Sequence, residues 1–104
     1  MSERQRLPDR RACETFAFQY NGLDHAASVS FFPNGELAEI FLGNAKAGSH
    51  SDSAAKDTAV VASIALQYGV PLEVIRHALL RDSRGIASSP LGVALDLLAL
   101  GERP

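Results

Sequence analysis

The chain has 104 residues, of which 46% are hydrophobic and 21% charged, and these values are ordinary for one soluble globular domain. Its formal net charge of −2 argues against a general nucleic-acid binder, because such proteins gain much of their affinity by neutralising phosphates. The lone Cys13 excludes an internal disulfide, no apolar run could span a bilayer, and the first residues lack an apolar signal core. We therefore expect a cytoplasmic protein that interacts with neither membranes nor nucleic acid.

The first residues, 1–12, are polar and show no periodicity, so they are interpreted as a flexible arm before a single domain at 13–101. Three segments with the alternation of strands follow, at Thr15–Tyr20, His25–Phe32 and Glu36–Leu42. Asn-Gly pairs separate these segments, and this dipeptide favours tight hairpin turns because both residues tolerate positive φ. The pattern predicts a three-stranded antiparallel meander.

The two turns, Asn21-Gly22 and Asn34-Gly35, also predict the register of the strands. If each closes a two-residue hairpin, Phe31 pairs with Ala38 and one face of the sheet becomes apolar. That face holds Phe16, Phe18, Ala27, Val29, Phe31, Ala38, Ile40 and Leu42. The opposite face keeps three large apolar residues that we expect a helix or a second copy of the chain to cover, namely Phe32, Leu37 and Phe41.

A long helix is predicted after the third strand, capped by Ser49 or Ser51 and ended by Gly69. Its polar residues form one narrow stripe and small apolar residues occupy the rest, so we expect it to be buried on several sides. The stripe consists of Asp52, Lys56, Ser63 and Gln67.

Two shorter helices complete the predicted fold. The second spans Pro71–Leu80, and the third runs to Leu100 from the cap Ser89 and from Pro90 at the first helical position. The order β-β-β-α-α-α is typical of an α+β fold in which three helices pack on an antiparallel sheet.

The stretches LAEIFLGNAKAGS and SIALQYGVPLEVI resemble the TSCPD domain, and the resemblance extends over 14–98. That domain occurs near the C-terminus of many cobalamin-dependent (class II) ribonucleotide reductases and in small stand-alone bacterial proteins. The motif that names the family falls at 87–91, where its serine and proline are kept. Its threonine, cysteine and aspartate are replaced by Ala87, Ser89 and Leu91. The resemblance implies a link to nucleotide metabolism, and it implies adenosylcobalamin only by association.

The resemblance does not extend to catalysis, because ribonucleotide reduction needs a thiyl radical and a pair of reducing thiols, whereas this chain has one cysteine. We predict no catalytic residues and no cofactor in the isolated chain. The expected function is a small non-catalytic module that binds a protein partner or a nucleotide-like ligand. The alternative is an accessory subunit of a separately encoded ribonucleoside-diphosphate reductase. A homodimer or larger homo-oligomer is expected.

A glycine-bracketed loop before the long helix is the predicted ligand site. Free amides at a helix N-terminus, beside basic side chains, could hold a phosphate or carboxylate. The alternative is a plain strand-to-helix turn that needs glycine for its backbone and serine for its cap. The candidate residues are Gly43, Lys46, Gly48, Ser49, His50 and Ser51.

A second candidate is a basic patch for a nucleotide or an acidic partner, formed by Arg76, His77, Arg81 and Arg84. The alternative is a solvated helix face whose side chains pair with the last carbonyls of the helix.

A metal site would require the histidines and the cysteine to converge, and no two of them have the spacing of metal ligands. No metal is therefore expected at His25, His50, His77 or Cys13. His25 is expected at an edge of the sheet.

Overall fold

A computed structural model of the chain describes residues 3–8, 11–44, 46 and 48–101. Three antiparallel strands form one sheet in the order β1-β2-β3, and three helices follow them. The α+β fold predicted from the sequence is confirmed. The elements are β1 (Glu14–Tyr20), β2 (Leu23–Phe31), β3 (Leu37–Asn44), α1 (His50–Gln67), α2 (Leu72–Ala78) and α3 (Pro90–Leu100).

The first hairpin has the predicted register. Its turn residue Asn21 has a φ of 53°, and such a turn matches the twist of the strands on either side. Phe18 pairs with His25, and Phe16 pairs with Ala27. The turn thus sets which side chains of β1 and β2 point inward.

The second hairpin differs from its prediction. The amide of Phe32 donates to the Glu36 carbonyl at 2.8 Å, so the loop has three residues rather than two. The register shifts beyond Ser30, and Phe31 pairs with Leu37 instead of Ala38. A three-residue loop commonly brings a bulge of this kind, because the extra residue must be accommodated in one strand.

The bulge turns Leu37 into the core, where it is 6% exposed, so its predicted place on the outer face is wrong. Beyond the bulge the predicted pairs return, with Val29 opposite Ile40 and Ala27 opposite Leu42. The inner face of the sheet packs against α1 and α3 as predicted, and Phe31 lies partly buried beside it. The buried core contains Phe16, Phe18, Ala27, Val29, Leu37, Ile40, Leu42, Ala55, Ala59, Ala62, Leu66, Leu91, Ala94 and Leu95.

Helix α1 lies along the free edge of β3, and polar side chains join the two elements. Ser63 Oγ accepts from the Ile40 amide at 2.8 Å and donates to the Ile40 carbonyl at 2.9 Å. Gln67 Nε2 donates to the Ala38 carbonyl at 3.2 Å. These bonds satisfy backbone groups that an edge strand otherwise exposes to another chain. We call this contact the seam.

The seam corrects the prediction that α1 is buried on several sides. Its polar stripe faces the sheet, where Ser63 and Gln67 are each 5% exposed, and small alanines on the same face allow close approach. The opposite side of α1 is open to solvent and carries Val60, Val61 and Ile64, which are 45%, 67% and 39% exposed. The polar side chains of α1 face the sheet because the backbone groups at the edge of β3 require hydrogen-bond partners.

The outer face of the sheet is crossed by the arm. Arg11 Nε donates to Glu39 of β3, and the amide of Gln5 donates to the Gln67 carbonyl at 2.7 Å. Glu39 is therefore 5% exposed although it points away from the core. Phe41 remains 47% exposed on this face. The predicted flexibility of the arm stays a prediction, and its residues 1–2 and 9–10 lie outside the described residues.

Among the described residues, none of the helices combines the length and the apolar composition that crossing a lipid bilayer requires.

Candidate functional site

The loop between β3 and α1 folds around the carboxylate of Asp52. Its oxygens accept from the amides of Asn44 and Gly48, both at 3.0 Å, and Lys56 Nζ lies 3.0 Å from Oδ2. These interactions, with the hydrogen bond from the Gly48 amide contributing most, lower the pKa of Asp52 to about 2. Gly43, half-buried near the end of β3, lies beside the Asp52 and Lys56 side chains. A carboxylate of α1 itself thus occupies amides that the sequence assigned to an external anion.

The other predicted residues of this loop have separate surroundings. Ser49 caps α1 by accepting from the Asp52 amide at 3.2 Å, and Ser51 lies 3.3 Å from the Ser49 hydroxyl. The side chains of Lys46 and His50 are exposed. Anion binding at the loop stays a prediction, and an incoming anion competes there with Asp52.

Two arginines of the predicted basic patch converge on Asp96 of α3. Arg76 Nε donates to the carboxylate at 2.9 Å, and Arg81 donates through two nitrogens at 2.7 Å each. Arg81 first, and then Arg76, lowers the pKa of Asp96, and the carboxylate raises the pKa of both guanidinium groups. This cluster ties α2 and the loop after it to α3.

The other two residues of the predicted patch lie at the surface. His77 is 79% exposed and 3.3 Å from Glu73, and Arg84 is 77% exposed and 3.6 Å from Asp82. Each of the four basic side chains has an acidic neighbour within the described part of the chain. The patch therefore presents less uncompensated positive charge than the sequence indicates, and ligand binding there stays a prediction.

A cavity of about 250 Å³ opens where the β1–β2 hairpin meets the first turns of α1 and α3. Its wall is mostly apolar, and hydroxyl groups of both helices lie among the apolar side chains. The lining residues include Tyr20, His25, Ser51, Ala54, Ser89 and Leu91.

His25 forms part of the cavity wall and is 4% exposed. Its ring stacks on Phe18 with 5.4 Å between centroids, and Tyr20 contacts it edge-on at 6.4 Å. Neither Nδ1 nor Nε2 has a hydrogen-bond partner among the described residues. A buried polar group without a partner costs about 1–3 kcal/mol, so an imidazole held in this way is a candidate for contact with a ligand.

The predicted position of His25 at a sheet edge is wrong, because β2 is the central strand and pairs on both sides. A signal was nevertheless present in the sequence. The register that follows from the Asn-Gly turn places His25 opposite Phe18, on the inward face of the sheet. A polar residue on an inward face is more informative than one on the surface, since buried polar groups require partners.

The starts of α1 and α3, helices of 18 and 11 residues, both reach the cavity. Helix N-termini carry a partial positive charge that favours a nearby anion. At α3, Ser89 Oγ accepts from the Gly92 amide at 3.1 Å. A Cβ at position 92 would lie 2.8 Å from Ala87 Cβ, so the close approach of the preceding loop to α3 depends on Gly92. This packing positions Ser89 at the cavity.

Comparison with known proteins relates this chain to a short region of vitamin B12-dependent ribonucleotide reductases. It is 42% identical over 72 residues to the enzyme of Rhodopirellula baltica, a match that covers 69% of this chain and 7% of the relative. It is 36% identical over 70 residues to that of Streptantibioticus cattleyicolor, covering 67% and 12%. The enzyme of Bradyrhizobium diazoefficiens is 36% identical over 73 residues, covering 70% and 6%.

The matched part of the chain therefore spans between 6% and 12% of the length of these curated relatives. No family model matches the sequence, and no solved structure is significantly similar to the fold. The similarity relates this chain to one segment of the reductase.

The relatives are named for vitamin B12, and the cavity can be compared with that group. Its volume of about 250 Å³ lies below the range of roughly 300–1,000 Å³ of sites for drug-sized ligands, and a cobalamin is much larger than such ligands. Within the described ranges, no group of three or more His, Cys, Asp or Glu side chains could hold a metal ion. The cavity beside His25 is therefore too small to hold a cobalamin.

Proposed function

We propose that this chain is a small non-catalytic binding module that serves ribonucleotide reduction. The observation that carries the proposal is its 42% identity over 72 residues to part of a vitamin B12-dependent ribonucleotide reductase. The related stretch amounts to most of this chain but to a small part of the enzyme. A segment of this size within the enzyme is suited to binding rather than to the whole reaction.

The thiol chemistry of the reaction supports a non-catalytic role. Reduction consumes a pair of thiols, and the chain contains one, Cys13. That thiol is exposed, lies just before β1, and its Sγ is 3.8 Å from the Glu14 carbonyl. We expect the pure chain to show no turnover of ribonucleotides with adenosylcobalamin and a dithiol.

A second candidate function is that of an accessory subunit of a separately encoded ribonucleoside-diphosphate reductase. The relatives contain the related segment within their own chains, as the match covering 7% of the Rhodopirellula baltica enzyme illustrates. A reductase that lacks the segment could obtain it by binding a separate chain, since docking does not require a covalent connection.

The proposal can be tested with the Rhodopirellula baltica reductase from which the related segment has been deleted. We expect this chain to bind the truncated enzyme in a sedimentation experiment with both proteins purified. The intact reductase, whose own segment competes for the same place, is the matched control and should bind more weakly. Equal binding to both enzymes, or binding to neither, contradicts the proposal. An increase in turnover of the truncated enzyme would favour the subunit over the passive module.

A further inference from the structure

We propose that the cavity beside His25 binds the base of a nucleoside or nucleotide. This inference rests on the proposed function in naming a ligand of nucleotide metabolism, but the chemistry that selects the ligand comes from the cavity. Three features argue for a flat heteroaromatic ring: an unpaired imidazole, apolar walls and a volume suited to a single ring system.

The first feature is the hydrogen-bonding demand of His25. A neutral imidazole carries one donor and one acceptor, and both nitrogens are unpartnered among the described residues. Stacking against Phe18 and edge contact with Tyr20 hold the ring in one orientation, so its nitrogens have fixed directions. The edge of a nucleobase also presents donors and acceptors side by side, and can therefore satisfy such a group.

The second feature is the shape and polarity of the wall. Leu23, Ala54, Ala55, Pro90 and Leu91 give the cavity an apolar lining that suits the faces of an aromatic ring. At about 250 Å³ the cavity lies below the usual range for drug-sized ligands, so it admits a base but not a complete large cofactor.

The third feature is a hydroxyl that remains able to donate. Ser89 Oγ already accepts from the Gly92 amide, which leaves the hydroxyl hydrogen of Ser89 for a second partner. Ser89 and His25 both line the cavity, and a bound base that contacts both polar groups must reach the buried nitrogens of His25. These two polar groups would fix the orientation of the base, and the apolar remainder of the wall excludes water.

The starts of α1 and α3 extend the argument from a base to a nucleotide. The positive ends of the two helices favour a negative group, although Asp52 already accepts from the Gly48 amide at the start of α1 and competes there. The exposed Lys46 precedes α1, and the exposed His50 is its first residue. A phosphate attached to a base in the cavity therefore adds affinity if it reaches this end. A free nucleoside and a nucleoside triphosphate share the base chemistry and differ in this contact.

The test is a titration of the full chain, labelled with ¹⁵N, with each of the four ribonucleosides and each corresponding 5′-triphosphate. We expect at least one nucleoside to shift the imidazole nitrogens of His25 together with the amides of Ser89 and Leu91. The resonances of His77, which lies on α2 away from the cavity, serve as an internal control and should not move. Tighter binding of the triphosphate than of the nucleoside, together with shifts of the amides at the starts of α1 and α3, assigns a phosphate contact at the helix starts.

Two variants distinguish a site at His25 from binding elsewhere. His25→Phe keeps an aromatic ring against Phe18 but removes both nitrogens, and should weaken the nucleoside about tenfold or more. Ala54→Leu places a larger side chain of good helix propensity at an exposed position on the cavity wall, and should block entry. The matched controls are His77→Phe and Ala99→Leu, both at exposed helix positions, which should bind as the wild type does.

The proposal is overturned if no nucleoside or triphosphate shifts His25 up to its solubility limit, or if His25→Phe and Ala54→Leu bind as tightly as their controls. An ordered water on the His25 nitrogens with no response to any nucleoside also overturns it. These failures are separable from failure of the proposed function. Binding to the truncated reductase without binding of a nucleoside retains the function and rejects the ligand, and the reverse result rejects the reductase partner alone.

Discussion

The seam between β3 and α1 and the cavity beside His25 differ in whether their buried polar groups have hydrogen-bond partners. At the seam, Ser63 and Gln67 are buried and each is hydrogen-bonded to the backbone of β3. At the cavity, His25 is as deeply buried and neither of its nitrogens has a partner within the described residues. The first arrangement stabilises the fold by itself. The second is incomplete until another molecule supplies the missing hydrogen bonds.

The largest change in the free energy of unfolding is expected for a substitution at Ser63. Ser63→Ala removes the hydroxyl that bonds both the amide and the carbonyl of Ile40, and leaves two backbone groups unpaired at a buried edge. We expect a loss of about 2–4 kcal/mol in the free energy of unfolding, measured by urea denaturation. The control Ser53→Ala, at an exposed position of α1, should change it by less than about 0.5 kcal/mol. Equal values for the two variants would show that the seam does not stabilise the fold.

A smaller effect on stability, confined to acidic pH, is expected for a substitution at Asp52. Its folded pKa of about 2 is below the usual value near 3.8, so ionised Asp52 favours the folded state. This contribution is fully present above about pH 4 and is lost as the pH falls towards about 2. Asp52→Asn should therefore show a shallower loss of stability over this interval than the wild type, in urea titrations at several pH values.

Asp96→Asn provides the comparison for that measurement, since Arg81 and Arg76 lower the pKa of Asp96 as well. Each variant should remove the contribution of its own carboxylate to the pH dependence of the free energy of unfolding. The double variant should remove both contributions, because no contact joins the two carboxylates. An acid dependence that remains unchanged in Asp52→Asn would mean that the hydrogen bonds from the amides of Asn44 and Gly48 do not favour the ionised carboxylate.

At the cavity we expect a change of the opposite sign. His25→Phe retains the stacked aromatic ring and removes two unpaired nitrogens, so the free protein should gain about 1 kcal/mol in the free energy of unfolding. Phe18→Leu, a control for the packing of the same pair of rings, should lower the stability. A loss of stability in His25→Phe would mean that the imidazole already has a partner in the free protein.

The smallest effect on stability is expected at the exposed side of α1, which adds apolar surface to the outer sheet face on which the predicted homo-oligomer was based. Leu37 is in the core, and the apolar surface that remains includes Phe41 on the sheet and Val60, Val61 and Ile64 on α1. Val61→Glu should leave the free energy of unfolding within about 0.5 kcal/mol and should dissociate any dimer that uses this side.

Sedimentation over a dilution series measures that effect, with Phe41→Glu as the matched variant on the outer face of the sheet. Dissociation by Phe41→Glu alone would assign the contact to the sheet. A monomer at high protein concentration in the wild type would contradict the predicted homo-oligomer.

Local chemistry made most of the fold predictable. Asn21-Gly22, Ser49, and the Ser89-Pro90 pair each determine a turn or a helix start through their own backbone preferences, and the structure places each as expected. The bulge beside Leu37 was not predicted, because Asn34-Gly35 is compatible with loops of two or three residues.

The candidate site was less predictable than the fold. The sequence placed Asp52 in a polar stripe of α1. The hydrogen bonds that its carboxylate accepts from the amides of Asn44 and Gly48 become visible only in the three-dimensional structure. Similarly, Asp96 was not expected to pair with Arg76 and Arg81, since the three residues come from separate elements. The cavity forms where a hairpin meets the starts of two helices, and these elements are too far apart in the sequence for a spacing pattern to predict it.

The central claim is that His25 lacks a hydrogen-bond partner until a base enters the cavity, and a thermal-melting cycle tests it most directly. The wild type and His25→Phe are each melted with and without each of the four ribonucleosides, since a ligand that binds the folded state raises Tm. The account predicts a higher Tm for His25→Phe than for the wild type without ligand, and a rise in Tm with at least one nucleoside for the wild type alone. A lower Tm for the free variant, or an equal rise for both proteins, would contradict it.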